Sequence, residues 1–407
     1  MIVALLLLLA QGSVPPENAE LLARRDKIAA AIEEIRGAKF AAPVPARSGE
    51  RKEYGQNALD NAKLLYGDDL AIAAKALKAL GLVGGKLRLD LAIPTLAMAG
   101  KIQAFYRNGE LVFVDRATPD DELVYKLTLA LADQRFKARE AAAKLGTSFD
   151  AQMAWAAIQH GDADMTKNLY WAGRKRSEKL PDDHLKNAVA AAEKWEREDS
   201  KWASAIAPRL FVRASDFMWR RGGIFMETVR RDGGIEAVDK VFAAPPSTEQ
   251  ILHPEKYGKD TPIAIDAAPL DEALAARKWK RVYATTLGEL GTACFLETHL
   301  KDGFEKAAPG WGGDALRHFE DGNGGSVSVW LTAWDSGEDA GEFQVEAQKI
   351  SLATSPAGKD HFNFVIRRGT CVLFVFGVHK DLQETLLDAA WKCTVRNGEK
   401  KEPFGKE

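Results

Sequence analysis

Apolar and polar positions follow two different periods along this chain, and the change of period divides it. Residues 17–37 carry apolar positions three and four apart among charges, and 56–80 repeat that helical spacing in Ala, Leu and Lys. Between them, 38–55 include Pro43 and Pro45 and read as a linker. Two apolar runs, 102–106 and 111–114, flank Asn108-Gly109 and predict a hairpin. Pro119 followed by Asp120, Asp121 and Glu122 then opens a helix running to Phe136, with early acids that suit the positive end of a helix dipole. Helical spacing continues through 149–228, where 216–227 is aromatic and basic around Gly222-Gly223. A short helix over 235–242 ends at Ala244-Pro245-Pro246, 247–257 reads as extended or loop-like, and 285–306 returns to helix.

Beyond Gly310 the period shortens. Residues 326–331 alternate as a strand does, 361–366 and 371–378 read as further strands, and 338–351 and 382–391 as helices. The expected fold is α+β and predominantly helical, with a short β-hairpin and a smaller α+β C-terminal portion. The expected divisions are 13–55 for the first helix and linker, 56–309 for a helical domain and 310–407 for the α+β portion.

The first ten residues, Met1 to Ala10, are a short apolar run followed by small residues and Pro15-Pro16. This predicts a secretory signal peptide over 1–12, cleaved near Gly12, although its n-region lacks the usual Lys or Arg. The expected location is therefore extracytoplasmic, periplasmic or secreted. No later segment approaches the ~20 apolar residues of a membrane span. The chain has 407 residues and a net charge of -2, so it carries no electrostatic footprint for nucleic acid. Its three cysteines, Cys294, Cys371 and Cys393, make no C-x-x-C. Folding residues 382–391 back over 371–378 would let Cys371 and Cys393 bridge, and would equally suit two reduced core thiols.

The most telling stretch is Leu123-Val124-Tyr125-Lys126-Leu127-Thr128-Leu129-Ala130-Leu131-Ala132-Asp133-Gln134-Arg135-Phe136. In an H-E-x-x-H zinc helix, residues i and i+4 share a face, so two imidazoles grip one zinc while the Glu handles the attacking water. Tyr125 and Leu129 keep that relation and supply no good ligand. Lys126 places an ammonium where a dication would sit. Read alone, the stretch is an amphipathic helix.

Its surroundings add a resemblance. The segment is similar to the metal helix L-V-H-E-L-x-H-A-L-Q-D-Q-H-F of a family of secreted or membrane-associated prokaryotic gluzincin-like zinc peptidases. Other motifs follow in the family's order: Ala104-Phe105-Tyr106-Arg107; His160-Gly161-Asp162-Ala163 against E-G-D-A; Gly233-Gly234-Ile235-Glu236-Ala237-Val238-Asp239; and Pro245-Pro246-Ser247-Thr248-Glu249-Gln250-Ile251-Leu252-His253-Pro254-Glu255-Lys256-Tyr257. Leu287-Gly288-Glu289-Leu290, Gly310-Trp311-Gly312-Gly313-Asp314 and Val329 to Asp335 complete the series, with coverage from about Ile32 to about Phe343. The resemblance implies a zincin-like helical core in which the two His ligands, the acidic ligand and the general base have become Tyr125, Leu129, His160 and Lys126.

His160 is the only one of the four with a ligand atom for zinc, and one imidazole without partners is a poor site. The seven histidines form no local pair, no G-x-S-x-G elbow is present, and the cysteines lack a reactive setting. The 247–257 segment reads either as a substrate-side loop or as a rigid proline-fixed connector. Trp219-Arg220-Arg221 reads as a helix face with snorkelling arginines. The sequence thus implies no catalytic residue, cofactor or metal. It points to an exported pseudopeptidase with a protein or peptide partner, or a structural role. The alternative is an active hydrolase with a rebuilt site.

Overall fold

A computed structural model of the chain describes residues 16–115, 117–176, 178–199, 203–302, 304–356 and 360–406; the segment read as a signal peptide lies outside the described residues. The molecule is α+β and predominantly helical, with a β-rich C-terminal part. Among the described residues no helix is long and apolar enough to cross a membrane.

The first sheet has three strands, β1 (Ala46–Ser48), β2 (Ala104–Arg107) and β3 (Glu110–Phe113). β2 and β3 form the expected hairpin, with Asn108 and Gly109 both at positive φ, as a two-residue turn of the right twist requires. β1 pairs in parallel with β3 inside the stretch read as a linker, and a helix already begins at Arg51. Helical spacing alone hid a break in the next segment: Arg51–Tyr66 ends at Gly67, and Asp69 caps Leu70–Ala79 by accepting from the Ala71 and Ile72 N–H groups.

The Asp120–Phe136 helix is the centre of the helical body. It is buried on most faces, from Leu123 to Thr128 and again at Ala130, Leu131 and Ala132, so it is a core helix rather than an amphipathic one. Leu123, Val124 and Leu127 pack with Ile28 and Ile32 of the Pro16–Arg36 helix and with Leu111 and Phe113 of β3. The Phe149–Trp171 helix lies against it and against the Gly222–Ala243 helix.

The second large element is a five-stranded antiparallel sheet in the order β5-β6-β7-β9-β8. Its strands are β5 (Lys280–Thr285), β6 (Trp311–Glu320), β7 (Ser326–Trp334), β8 (His361–Arg368) and β9 (Cys371–His379). Both faces are covered. Trp330, Trp334, Val372 and Phe374 face a cluster shared with the helical body. Val329, Leu331, Cys371 and Leu373 face a second cluster with Leu270, Leu274 and Leu386. A two-sided burial removes the polar alternation, which is why β6 carries no strand signal in the sequence. A third small sheet joins β4 (Ala264–Asp266), β10 (Thr394–Asn397) and β11 (Lys400–Pro403).

One further expectation is corrected, and of the two alternatives left open for the cysteines the structure holds the reduced one. Residues 247–257 hold more regular structure than the extended or loop-like stretch expected: Ser247 and Gln250 form a capping box that starts the Thr248–Leu252 helix, and Pro254–Lys256 is a 3-10 turn. Cys371 and Cys393 do share one core cluster, yet both are buried free thiols, as is Cys294, and the bridge is not formed.

Candidate functional site

Tyr125 and His160 stand where the resemblance would place two zinc ligands, and they bond to each other. The Tyr125 hydroxyl hydrogen-bonds His160 Nδ1 at 2.5 Å. Three residues beyond the opening acids, the Tyr125 side chain leaves the Asp120–Phe136 helix toward the Phe149–Trp171 helix, which carries His160. Leu129, one turn on, is half-buried. Burial, then the Lys126 charge, pull the His160 pKa down to about 3, so this imidazole is neutral. Burial and the nearby Asp164 and Glu122 carboxylates hold the Tyr125 phenol protonated.

Trp219 completes the group and was missed in the sequence. Its indole stacks on Tyr125 at 5.0 Å between centroids and on His160 at 5.6 Å. It reaches that place because Phe217–Arg221 is a π-turn in an otherwise α-helical run, which shifts the register of the side chains by one position. Lys126 lies over the Tyr125 ring at 4.9 Å, is 8% exposed, and pairs with Glu122 at 3.2 Å. The space between these side chains is therefore filled by an aromatic stack with an ammonium at its edge.

The residue after His160 fixes its position. A Cβ on Gly161 would stand 2.2 Å from the Gly222 carbonyl oxygen, so the two helices cross backbone to backbone. Asp162 then meets Arg36 Nε at 3.1 Å in a fully buried pair, Arg36 reaches Asp239 at 2.9 Å, and Arg135 reaches Asp239 at 2.8 Å. The H-G-D-A, G-G-x-x-A-V-D and Q-R-F pieces of the sequence thus meet in one ion network.

Trp219 also forms a wall of a cavity of about 660 Å³. The space lies between the Asp182–Lys194 helix and the body. Leu185, Ala188 and Ala191 face it from one side and Val212 and Ile224 from the other, with Asp164, Asp216 and Arg220 as polar wall groups. Within the Asp182–Lys194 helix only Ala192 is buried, so its apolar face lines the cavity instead of filling it.

A second polar cluster gathers the remaining motifs. Asp314 accepts from the Leu287 and Gly288 N–H groups, both at 2.9 Å, and from the Trp311 and Trp330 indoles at 3.1 and 3.0 Å. Gly288 sits at φ +73°, and a Cβ there would meet Asp150 Oδ1 at 2.2 Å. Asp150 in turn accepts from Thr248 N–H and Oγ1. Lys256 is held by Glu249 at 2.5 Å and Asp335 at 2.8 Å, with Asp260 at 3.8 Å. Burial raises the Glu249 pKa to about 7 despite Lys256. His253 Nε2 meets Glu289 at 2.9 Å. Glu249, Asp260 and Asp335 offer oxygens within 4.8 Å of one another, the one such group among the described residues with metal-binding spacing, and Lys256 already lies among them.

A domain of unknown function, DUF8575, matches residues 277–380. No curated protein and no solved structure matches the chain. The matched segment runs from just before β5 to the end of β9, so it takes in the whole five-stranded sheet with the Gly288–His299 and Gly337–Thr354 helices. It includes Glu289, Asp314 and Asp335 of the second cluster. Tyr125, His160 and Trp219 lie outside it.

Proposed function

We propose that this chain is a non-catalytic pseudopeptidase, exported from the cytoplasm, that holds a peptide or protein segment in the cavity beside a replaced metal site. One observation carries the reading: the Tyr125–His160 hydrogen bond lies under Trp219, with Lys126 at its edge. A neutral imidazole bonded to a phenol has one nitrogen left, and neither Leu129 nor Lys126 adds a donor for zinc. Without two ligands and a carboxylate base, water activation by metal has no machinery at these positions. What remains is a concave, mostly apolar space with a few convergent polar groups, the usual form of a binding site.

Elemental analysis of the purified protein, with a peptidase assay before and after chelation, tests the non-catalytic half. The expected result is no stoichiometric zinc and no chelator-sensitive hydrolysis; one tightly held zinc per chain would overturn it. Mass spectrometry of the protein from its native host tests export, and an intact Met1 would count against it.

The second reading, an active hydrolase with a rebuilt site, draws on Glu249. Its carboxyl titrates near neutrality and it contacts Lys256, the pairing a general acid–base residue needs. That reading requires hydrolytic activity abolished by Glu249→Gln.

A further inference from the structure

The cavity beside Trp219 already holds a cation of the protein's own. The Arg220 guanidinium carbon lies 5.5 Å from the centre of the Trp195 ring, and its Nε lies 2.7 Å from Asp216 Oδ1. Trp195, Asp216 and Arg220 all line the cavity. The Asp216 side chain is 1% exposed, whereas that of Arg220 is 43% exposed. Neither Asp216 oxygen accepts a well-directed hydrogen bond: Arg220 approaches out of line, and Arg213 Nη1 stays 4.0 Å away. Burial, then the Glu196 charge, raise the Asp216 pKa to about 6. A buried carboxylate so incompletely matched has capacity for one cationic donor in good geometry.

The other two wall carboxylates are already paired. Asp164 pairs with Lys167 at 2.6 Å, and Glu227 pairs with Arg230 and Arg231, both at 2.8 Å. The apolar walls at Leu185, Ala188, Val212 and Ile224 suit the aliphatic stem of a long basic side chain. A planar guanidinium can both stack on an indole and fork to a carboxylate, which an ammonium cannot do together.

We propose that the cavity takes an arginine side chain of a bound peptide, seated between Trp195 and Asp216, and that Arg220 is a displaceable stand-in for it. The proposal rests on the peptide-holding reading above. Displacement exchanges like for like: Arg220 gives up one indole face and one carboxylate to the incoming guanidinium and turns toward solvent.

Fluorescence polarisation on the full chain tests this with three labelled pentapeptides, Ala-Leu-X-Leu-Ala, where X is arginine, its neutral isostere citrulline, or glutamate. The arginine peptide is expected to bind at least tenfold more tightly than the citrulline peptide, and the glutamate peptide most weakly. Asp216→Asn should abolish the preference, Asp216→Glu should retain part of it, and Arg220→Ala should tighten the arginine peptide severalfold. Thermal melts check that each variant folds. Equal binding of the arginine and citrulline peptides, or a preference that survives Asp216→Asn, overturns the arginine subsite and leaves the peptide-holding reading intact. Binding of none of the three at millimolar concentration overturns both.

Discussion

Gly161 and Gly222 cross with no side chain between them, and the crossing sets where His160 stands. The Cβ that Gly161 lacks would lie 2.2 Å from the Gly222 oxygen and 2.4 Å from its carbonyl carbon, both backbone atoms that cannot rotate away. Gly161→Ala gains about 1 kcal/mol of helix propensity. It also forces the helices apart, an overpacking cost of about 3 kcal/mol. The net expectation is a loss of about 2 kcal/mol in urea unfolding. Gly223→Ala, whose Cβ would meet only the end of the Asp164 side chain at 3.0 Å, should be close to neutral. Equal effects at the two positions would contradict the close crossing.

How much of this was legible in the sequence depends on what each residue had to reveal. The spacing of Tyr125 and Leu129 put them on one face, and Asn108-Gly109 announced its hairpin, because local geometry determines both. Trp219 could not be placed, since a π-turn shifts register without any marker in the residues themselves. β6 is buried on two faces and carries no clear period-2 signal, whereas the Ser326–Leu331 start of β7 alternates and is legible. Glu249, Glu289, Asp314 and Asp335 each stand inside a motif of the sequence. Their convergence, around Lys256 and around the start of the Gly288–His299 helix, depends on tertiary packing that no spacing encodes.

The buried His160 makes stability depend on pH in a stated direction. Its folded pKa, about 3, lies below the ordinary 6.5, so the folded state binds fewer protons between those values. Its contribution is complete above pH 6.5 and is lost as pH falls toward 3. Asp162, Asp216 and Asp314, each raised to about 6 chiefly by burial, act in the opposite sense and are common to both proteins compared. The stability difference between the unsubstituted protein and His160→Gln should therefore shrink by several kcal/mol from pH 7 to pH 4. A difference constant with pH would mean that His160 titrates as an exposed imidazole.

The three thiols should be silent in the folded protein. Burial pushes Cys294 up to about 12 and Cys393 up to about 11, and raises Cys371 as well, so almost no thiolate is present at pH 8. Iodoacetamide should modify none of them natively, and all three after unfolding without reductant. Recovery of only Cys294 under those conditions would establish the bridge between Cys371 and Cys393 that the folded structure lacks.

Lys256 holds three carboxylates that would otherwise repel. It lies 2.5 Å from Glu249, 2.8 Å from Asp335 and 3.8 Å from Asp260. Glu249 is 1% exposed and its pKa is already about 7 beside the ammonium, so removing Lys256 forces this carboxyl to take up a proton or to stay charged without a partner. Lys256 itself is partly exposed, and the loss in Lys256→Met should be roughly 2 kcal/mol rather than the full buried-pair value. The vacated centre then has oxygens within 4.8 Å of one another, a span that suits the 2.3–2.6 Å bonds of calcium. Millimolar calcium should accordingly raise the melting temperature of Lys256→Met by several degrees and leave the unsubstituted protein unchanged, because a ligand stabilises only the form it binds. Glu249→Gln in the Lys256→Met background should remove the rescue. Calcium stabilising both proteins alike would place the cation elsewhere and refute the role of Lys256 as a tethered counter-ion.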